Sequence, residues 1–413
     1  MHSKRLAVLT LLVAVPALAS AQQAALVIVN ANVVNVRTGA VTPRTGLVIR
    51  DGKIAAVLGD APAAGATVID AGGRYVIPGL IDAHTHIADF AAARRALESG
   101  VTTVRSAGVS NYADVGLREL ARKGAIPGPD FLAAGYHVRP QLAPEAFISD
   151  PVLSPYLNGG VTSIDAIRQV VRANLSHGVD WIKTTSTERA GTPDTDPRKQ
   201  LYTDAEVKVM VDEAAAKGVG VMAHAHGAEG ALAAVRAGVR SVEHGTYLSE
   251  EALELMKEKG TYLVPTYATV IDLTEPGGDY DNPGLALRGA HMLPRLRETV
   301  ESAHRLGVKI VAGGDTSYGP NSVTRIAHEI AAFVEIGLTP LEALQSATTV
   351  AAQLLGVDQR AGVLEPGFEA DFVVVERNPL EHVRTLQDPL LVVSNGHVAL
   401  NRLNFGKTSS SQR

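Results

Sequence analysis

The stretch LAAVRAGVRSVEH, Leu232–His244, reads as two elements joined at one residue. An amphipathic helix carries Arg236 in its last turn and stops at Gly238, and a short apolar strand follows and ends on His244. A glycine just past a helix end takes the left-handed conformation without a Cβ penalty, and a basic side chain in the last turn suits the helix dipole.

The same junction recurs along the chain. It appears in RRALESGVTTV (Arg94–Val104), RELARKGAIPGPDFLAAG (Arg118–Gly135), VVRANLSHGVDWIK (Val170–Lys183), DEAAAKGVGVMAH (Asp212–His224), ELMKEKGTYLVP (Glu254–Pro265) and SAHRLGVKIVAGG (Ser302–Gly314). The glycines are Gly100, Gly124, Gly178, Gly218, Gly260 and Gly307, and a last helix ends at Gly337 in FVEIGLTP. With YVIPGLIDAH (Tyr75–His84) as a first strand, this makes eight strands, each followed by a helix. Alternating βα units of this length imply a parallel sheet, and eight imply a closed (β/α)8 barrel of the TIM type. An open doubly wound sheet would show a glycine fingerprint after its first strand; none is present. The predicted class is α/β, with the barrel over residues 77–358.

The flanks are patterned differently. AALVIVNANVVNVRTGAVTPRTGLVIRDGKIAAVLG (Ala24–Gly59) alternates short Val/Ile runs with Thr-Gly, Asp-Gly and Pro, the signature of hairpins. GVLEPGFEADFVVVERNPL and PLLVVSNGHVALN read the same way near the C-terminus. These segments predict a small β-sandwich domain built from residues 22–76 and 359–405, with a disordered tail at 406–413.

Composition narrows the function class. The 413 residues are 46% hydrophobic and 20% charged, ordinary for a globular protein, and the net charge of -5 offers no basic footprint for nucleic acid. At the N-terminus, basic MHSKR, apolar LAVLTLLVAVPAL and small-residue ASA form a cleavable signal peptide, residues 1–21, with cleavage after Ala21. The apolar run is too short to span a bilayer, so no membrane anchor is expected and the mature chain is periplasmic or secreted. There is no cysteine, which excludes disulfides, a thiol nucleophile and thiolate metal ligands.

In barrels of this kind chemistry sits at the C-terminal strand ends. Those ends carry His84 and His86 after strand 1, Lys183 on strand 4, His224 after strand 5, His244 after strand 6 and Asp315 after strand 8. His84 and His86 are two apart, so on an extended backbone both rings point to one side. Lys183 lies in GVDWIKTTST, a run that otherwise reads as a buried strand with no carboxylate in it. Burying an unpaired ammonium is costly enough that the group deprotonates instead. A neutral lysine amine adds carbon dioxide to give a carbamate, whose two oxygens can bridge two divalent ions.

On VIPGLIDAHTHI, DWIKTTST, AHAHG, EHGTYL, AGGDT and PGFEADFVVV, in that order, the sequence resembles the amidohydrolase superfamily over essentially the whole mature chain. It is most similar to the branch of imidazolonepropionase-like proteins, Xaa-Pro dipeptidases and ochratoxinase-type carboxypeptidases. The resemblance implies a binuclear, usually zinc, centre: His84, His86 and Asp315 on the buried ion, His224 and His244 on the outer one, carboxylated Lys183 between them. It implies a hydrolase of amides, dipeptides such as Xaa-Pro or N-acyl amino acids, acting through a metal-bridging hydroxide with Asp315 as proton carrier. His226 and His137 are candidates to polarise the scissile carbonyl. Long loops at Thr185–Thr203 and Thr266–Gly284 should wall the pocket. Arg189 is a candidate clamp for a substrate carboxylate, Tyr202 a further substrate contact, and His328 a substrate-side or site-orienting group. The family also implies a homo-oligomer. The same ligands serve lactone and phosphotriester hydrolysis, and a metal- or solute-binding protein without turnover is the alternative of another class.

Overall fold

The computed structural model describes residues 26–59 and 65–403, so the expected signal peptide and C-terminal tail lie outside the described residues. The chain opens with β1 (Leu26–Val34), β2 (Val41–Arg50), β3 (Lys53–Gly59), β4 (Thr67–Asp70) and β5 (Tyr75–Pro78). Valine and isoleucine dominate these runs, as a pleated half-buried surface favours. Asp51 and Gly52, with φ of 51° and 75°, turn β2 back into β3. Two positive φ values are what a tight hairpin turn needs, and Asp-Gly supplies them.

Two parallel sheets follow. One contains β6 (Leu80–Thr85), β7 (Val101–Ser106) and β8 (Asp130–Leu132). The other contains β9 (Trp181–Thr185), β10 (Gly220–Gly227), β11 (Ser241–Tyr247) and β12 (Tyr262–Val264). An isolated bridge between Val138 and Thr184 joins the two, and another links Leu263 of β12 to Ile310. Helices return the chain between strands, started by the side chains of Asp89, Ser163, Thr203, Ser249 and Thr339 on backbone N–H groups of the first turn. All eight glycines expected past helix ends have positive φ, between 65° and 129°.

Three features depart from expectation. The run Tyr75–His84 is not one barrel strand: Tyr75 and Val76 pair with β1, Tyr75 to Pro78 pair with β13 (Phe372–Val375), and only Leu80 onward joins the parallel sheet. Pro78 lacks an N–H, and Gly79 lies so near Thr102 that a Cβ would sit 2.1 Å from its Oγ1, so the chain changes sheets there. The expected eighth strand is an extended segment with isolated bridges, Ile310 to Leu263 on one side and Thr316 to Thr85 on the other. Gly313 and Gly314 press their backbone onto His84 and Asp82, and Asp315 turns to φ 43°, so a regular ladder cannot continue. Finally, β13, β14 (Leu391–Ser394) and β15 (His397–Asn401) extend β5 into one eight-stranded mixed sheet, not the two separate sheets of a sandwich. Its apolar face gathers Ile28, Leu47, Ile54, Phe372, Val374 and Val393 into one cluster, and Ile54 exchanges backbone hydrogen bonds with Gly367 and Phe368. The sheet therefore curls over its own face, which does the work a second sheet would do.

Candidate metal centre

His84 is the last residue but one of β6, His86 lies just beyond the strand, and the segment after Ile310 brings Asp315 back beside them: the Asp315 N–H donates to the His84 carbonyl at 2.8 Å. Buried Asp82 fastens this return, accepting from the N–H of Gly314 (2.8 Å) and the hydroxyl of Tyr318 (2.8 Å). Asp315 Oδ1 then lies 3.1 Å from His86 Nε2 and 3.4 Å from His84 Nε2. Lys183, 1% exposed, points its Nζ at the same atom of His84, 3.4 Å away. On the other side, His224 and His226 from β10 and His244 from β11 bring one ring nitrogen each within 4.8 Å of one another. His244 holds φ 73°, a conformation rare for a residue with a side chain, which marks a local constraint at this site.

The outward nitrogens of these rings are all engaged. His84 Nδ1 donates to Glu243 Oε2 at 2.6 Å and His86 Nδ1 to the Gly108 carbonyl at 2.8 Å. Both partners are acceptors only, so each Nδ1 carries a proton, and each Nε2 faces Asp315 and the cavity. His224 donates through Nε2 to the Glu188 carbonyl (3.2 Å), which leaves Nδ1 unprotonated. His226 and His244 meet the hydroxyls of Thr246 (2.9 Å) and Thr266 (2.7 Å) through Nδ1. Burial lowers the histidines: His84 to about 4, His226 to about 3, and His224, His244 and His137 well below the usual value. Neutral imidazoles with inward lone pairs, oriented by a bond at the other nitrogen, are what a metal ion requires. Burial alone would raise Asp315, but His84 and His86 beside it hold its carboxyl well below the ordinary range. Burial pulls the Lys183 ammonium down to about 8 against the attraction of Glu243 and Asp315. The donor set thus fits one cation at His84, His86 and Asp315, a second at the His224–His226–His244 cluster, and Lys183 beside the first.

Below the rings lies a charged layer. Arg105, fully buried, donates to both oxygens of Glu243 (2.9 and 3.0 Å) and to the Ala83 carbonyl (2.7 Å), with its guanidinium over the Trp181 ring at 4.7 Å. Burial pushes Glu243 upward, but Arg105 and His84 overcome it and hold the carboxylate at about 2. Neither Arg105 nor Glu243 figured among the expected site residues, although an arginine inside the apolar run VTTVRS is the same anomaly as Lys183.

The cavity above is lined by the ligand residues together with His137, Thr185, Arg189, Thr269, Tyr280 and Leu273. His137 lies over Gly108, whose absent Cβ leaves room for the ring, and its Nδ1 is buried with no protein partner. Tyr280 packs on Gly191, and the nearby Asp315 charge, then burial, raise its hydroxyl. Two expected contacts lie elsewhere. Tyr202 is buried in the core with its hydroxyl on the Val161 carbonyl (2.9 Å), because the chain turns it inward ahead of the helix Asp204–Ala215. His328 is exposed and accepts the Arg325 N–H (3.2 Å) at the start of its own helix. Its neighbour Glu329 is the buried one, accepting from the N–H groups of Tyr267 (2.9 Å) and Ala268 (2.6 Å). Those bonds fix a helix, Tyr267–Asp272, inside the stretch read as a loop, and that helix carries Thr269 and Val270 to the cavity wall.

Comparison with known proteins gives the family. The profile of the amidohydrolase family matches residues 75–399. Ochratoxinase of Aspergillus niger is 29% identical over 358 residues, 77% of this chain and 73% of that protein. Imidazolonepropionase of Symbiobacterium thermophilum is 28% identical over 398 residues, 84% of this chain and 87% of that protein. A solved Xaa-Pro dipeptidase with methionine bound in its active site superposes with a TM-score of 0.81 at 28% identity, covering 91% of this chain and 99% of the other. The chain belongs to the amidohydrolase family and is an enzyme that hydrolyses amide bonds.

Proposed function

We propose that this protein is an exported, binuclear metallohydrolase that removes an amino acid from a dipeptide such as Xaa-Pro, or from an N-acyl amino acid, including ochratoxin-like amides. The observation that carries the reading is the convergence of histidine ring nitrogens, Asp315 and a buried lysine on one cavity. The closed (β/α)8 barrel belongs to the same proposal. Its support is the backbone contact from the Ile310 segment to β12 on one side and to β6 on the other.

His84, His86 and Asp315 would hold one ion, His224 and His244 the other, and Lys183, as its carbamate, would bridge them. These nitrogen and oxygen ligands suit zinc. Two such ions supply a water activated as a nucleophile at neutral pH and Lewis-acid polarisation of the carbonyl. Asp315 takes the proton of the attacking water and gives it to the leaving nitrogen. His137 and His226, which line the cavity, would donate to the carbonyl oxygen as charge develops on it, so that His226 stays outside the ligand set of the second ion. Tyr280 and the loop bearing Arg189 narrow the cavity mouth and keep bulk water from the reacting centre. A homo-oligomer is part of the proposal, by analogy with the family.

The experiment is metal analysis of the purified protein alongside a panel of Xaa-Pro dipeptides, N-acyl amino acids, lactones and phosphotriesters. Turnover of amides with bound metal supports the reading. Turnover of lactones or phosphotriesters alone replaces the substrate class, and metal binding without any turnover favours a binding protein.

A further inference from the structure

We infer that Arg288 is a positioning residue: it holds the loop after β9 so that the Glu188 carbonyl fixes the ring of His224, and through that ring the outer ion. The statement about the ion rests on the binuclear reading above; the statement about the ring does not. His224 donates through Nε2 to the Glu188 carbonyl at 3.2 Å, so Nδ1 is the nitrogen left for a cation. A metal-bound histidine takes its tautomer and angle from the acceptor at its other nitrogen. His224 is therefore only as well placed as Glu188 is.

Glu188 stands at the base of a loop. Thr187 pairs antiparallel with Gln200, and the Glu188 N–H donates to the Lys199 carbonyl at 3.0 Å. The run between, RAGTPDTDPR (Arg189–Arg198), contains turns but no strand or helix. Pro193 and Pro197 have no N–H to give, and Asp194 takes φ 61°, so the carbonyls of this run find no ladder. Arg288, on the helix Pro283–Leu306, supplies the donors from outside. Its Nη1 donates to the carbonyls of Ala190 (2.5 Å) and Thr192 (2.7 Å), and its Nη2 to that of Thr195 (2.8 Å). The Thr195 hydroxyl in turn donates to the Arg189 carbonyl at 2.6 Å. One planar guanidinium fork thus fixes three carbonyls at once, which a lysine ammonium on its flexible stem does not match.

These bonds reach His224 through the backbone. The N–H of Glu188 is tied to Lys199, the carbonyl of Arg189 to Thr195, and the carbonyl of Ala190 to Arg288. The planar peptides between those ties have little room to swing, so the Glu188 carbonyl stays aimed at the ring. The Glu188 carboxylate adds a brace across the loop, accepting from the Asp196 N–H (2.9 Å) and the Lys199 ammonium (2.6 Å). Close approaches seat the loop on either side. Tyr280 covers Gly191, and the Arg198 carbonyl lies so near Gly227, at the end of β10, that a Cβ there would come within 2.4 Å of it. Arg288 itself does not line the metal cavity, whereas Arg189, Ala190 and Gly191 do. Its influence on the site passes through the loop.

The test uses the whole protein as wild type, as Arg288→Met, which keeps the stem and removes the donors, and as Arg288→Lys, with Tm checked for each. Nitrogen NMR of histidine-labelled, metal-free protein reads the ring directly, the His224 signal being assigned by its loss in His224→Gln. Wild type should hold His224 as the Nε2–H tautomer alone, and Arg288→Met should show a mixture of both tautomers. Chelator titration then reads the ions. One of the two should bind about 10- to 100-fold more weakly in Arg288→Met, the other should stay within about threefold of wild type, and Arg288→Lys should fall between. Excess metal should restore kcat to within about threefold, a rescue that general loosening of the fold would not permit. If Arg288→Met does not fold, Arg288→Lys carries the same readings. A fixed tautomer in wild type that the variant loses upholds the positioning of the ring even if no metal binds, in which case only the binuclear reading fails. A His224 signal unchanged in the variant, or two ions weakened alike, overturns the inference.

Discussion

Glu243 has a double duty at the residue scale: it accepts the His84 Nδ1 proton and neutralises Arg105. Groups that orient a metal-bound histidine typically matter 10- to 100-fold in metal affinity or activity. Glu243→Gln should therefore weaken metal binding by about 10- to 100-fold and lower Tm, since it leaves Arg105 buried without its counter-charge. Competitive chelator titration and thermal melts check this, and wild-type affinity in the variant would remove Glu243 from the site. Asp315→Asn should cost at least about 100-fold in kcat, through loss of the proton carrier, while the His224–His244 pair still retains metal. Rate measurement with metal analysis checks it. The histidines and Asp315 that gather at the cavity were legible in the sequence because each lies at or near a strand's C-terminal end, and Lys183 because a charge interrupts an apolar run. The Arg105–Glu243 pair was not, because sequence can show two buried charges 138 residues apart without showing that they meet. Tyr202 and His328 were misread for the converse reason: a polar residue on a suitable loop or helix can satisfy itself locally.

At the scale of elements, close backbone approach governs how the site is held. Gly108 has φ 104°, and a Cβ there would meet the His137 ring at 2.1 Å. Gly108→Ala should push that ring out of the cavity and lower kcat by about tenfold or more while metal content stays near wild type. Unchanged kcat would exclude His137 from the reaction. The helix–glycine–strand junctions were legible because a helix stop needs a special φ, and glycine advertises it. Where packing decides, the pattern was silent. Gly313 and Gly314 announce a close approach but not the loss of the eighth ladder, and the helix Tyr267–Asp272 forms because Glu329, far along the chain, holds its first N–H groups.

The whole molecule joins its curled sheet to the parallel strands through acidic and basic groups near Asp130, Arg360 and Glu369. Buried Asp371 accepts from the Asn395 N–H at 2.6 Å, and burial, then the charges of Asp130 and Glu369, push it up to about 8. The unfolded group releases its proton near 3.8, so between there and about 8 the folded chain holds a proton that the unfolded chain has lost, and stability falls as pH rises. Asp371→Asn should flatten that slope, raising Tm by about 2 °C or more at pH 8.5 and little at pH 4.5. Equal melting of both proteins at both pH values would contradict it. The two-part architecture was legible because strand periodicity changes to helix-strand alternation near Tyr75, but curling of one sheet over itself depends on contacts between both chain ends. The central claim is a pair of ions held by Lys183 as its carbamate. Its most direct test is metal stoichiometry with amide turnover in wild type and Lys183→Ala, each with and without added short-chain carboxylate. Two ions per chain in wild type, loss of ions and turnover in the variant, and partial recovery with the carboxylate are the predicted result. A wild type that binds no metal, or a variant that keeps both ions and full turnover, would contradict it.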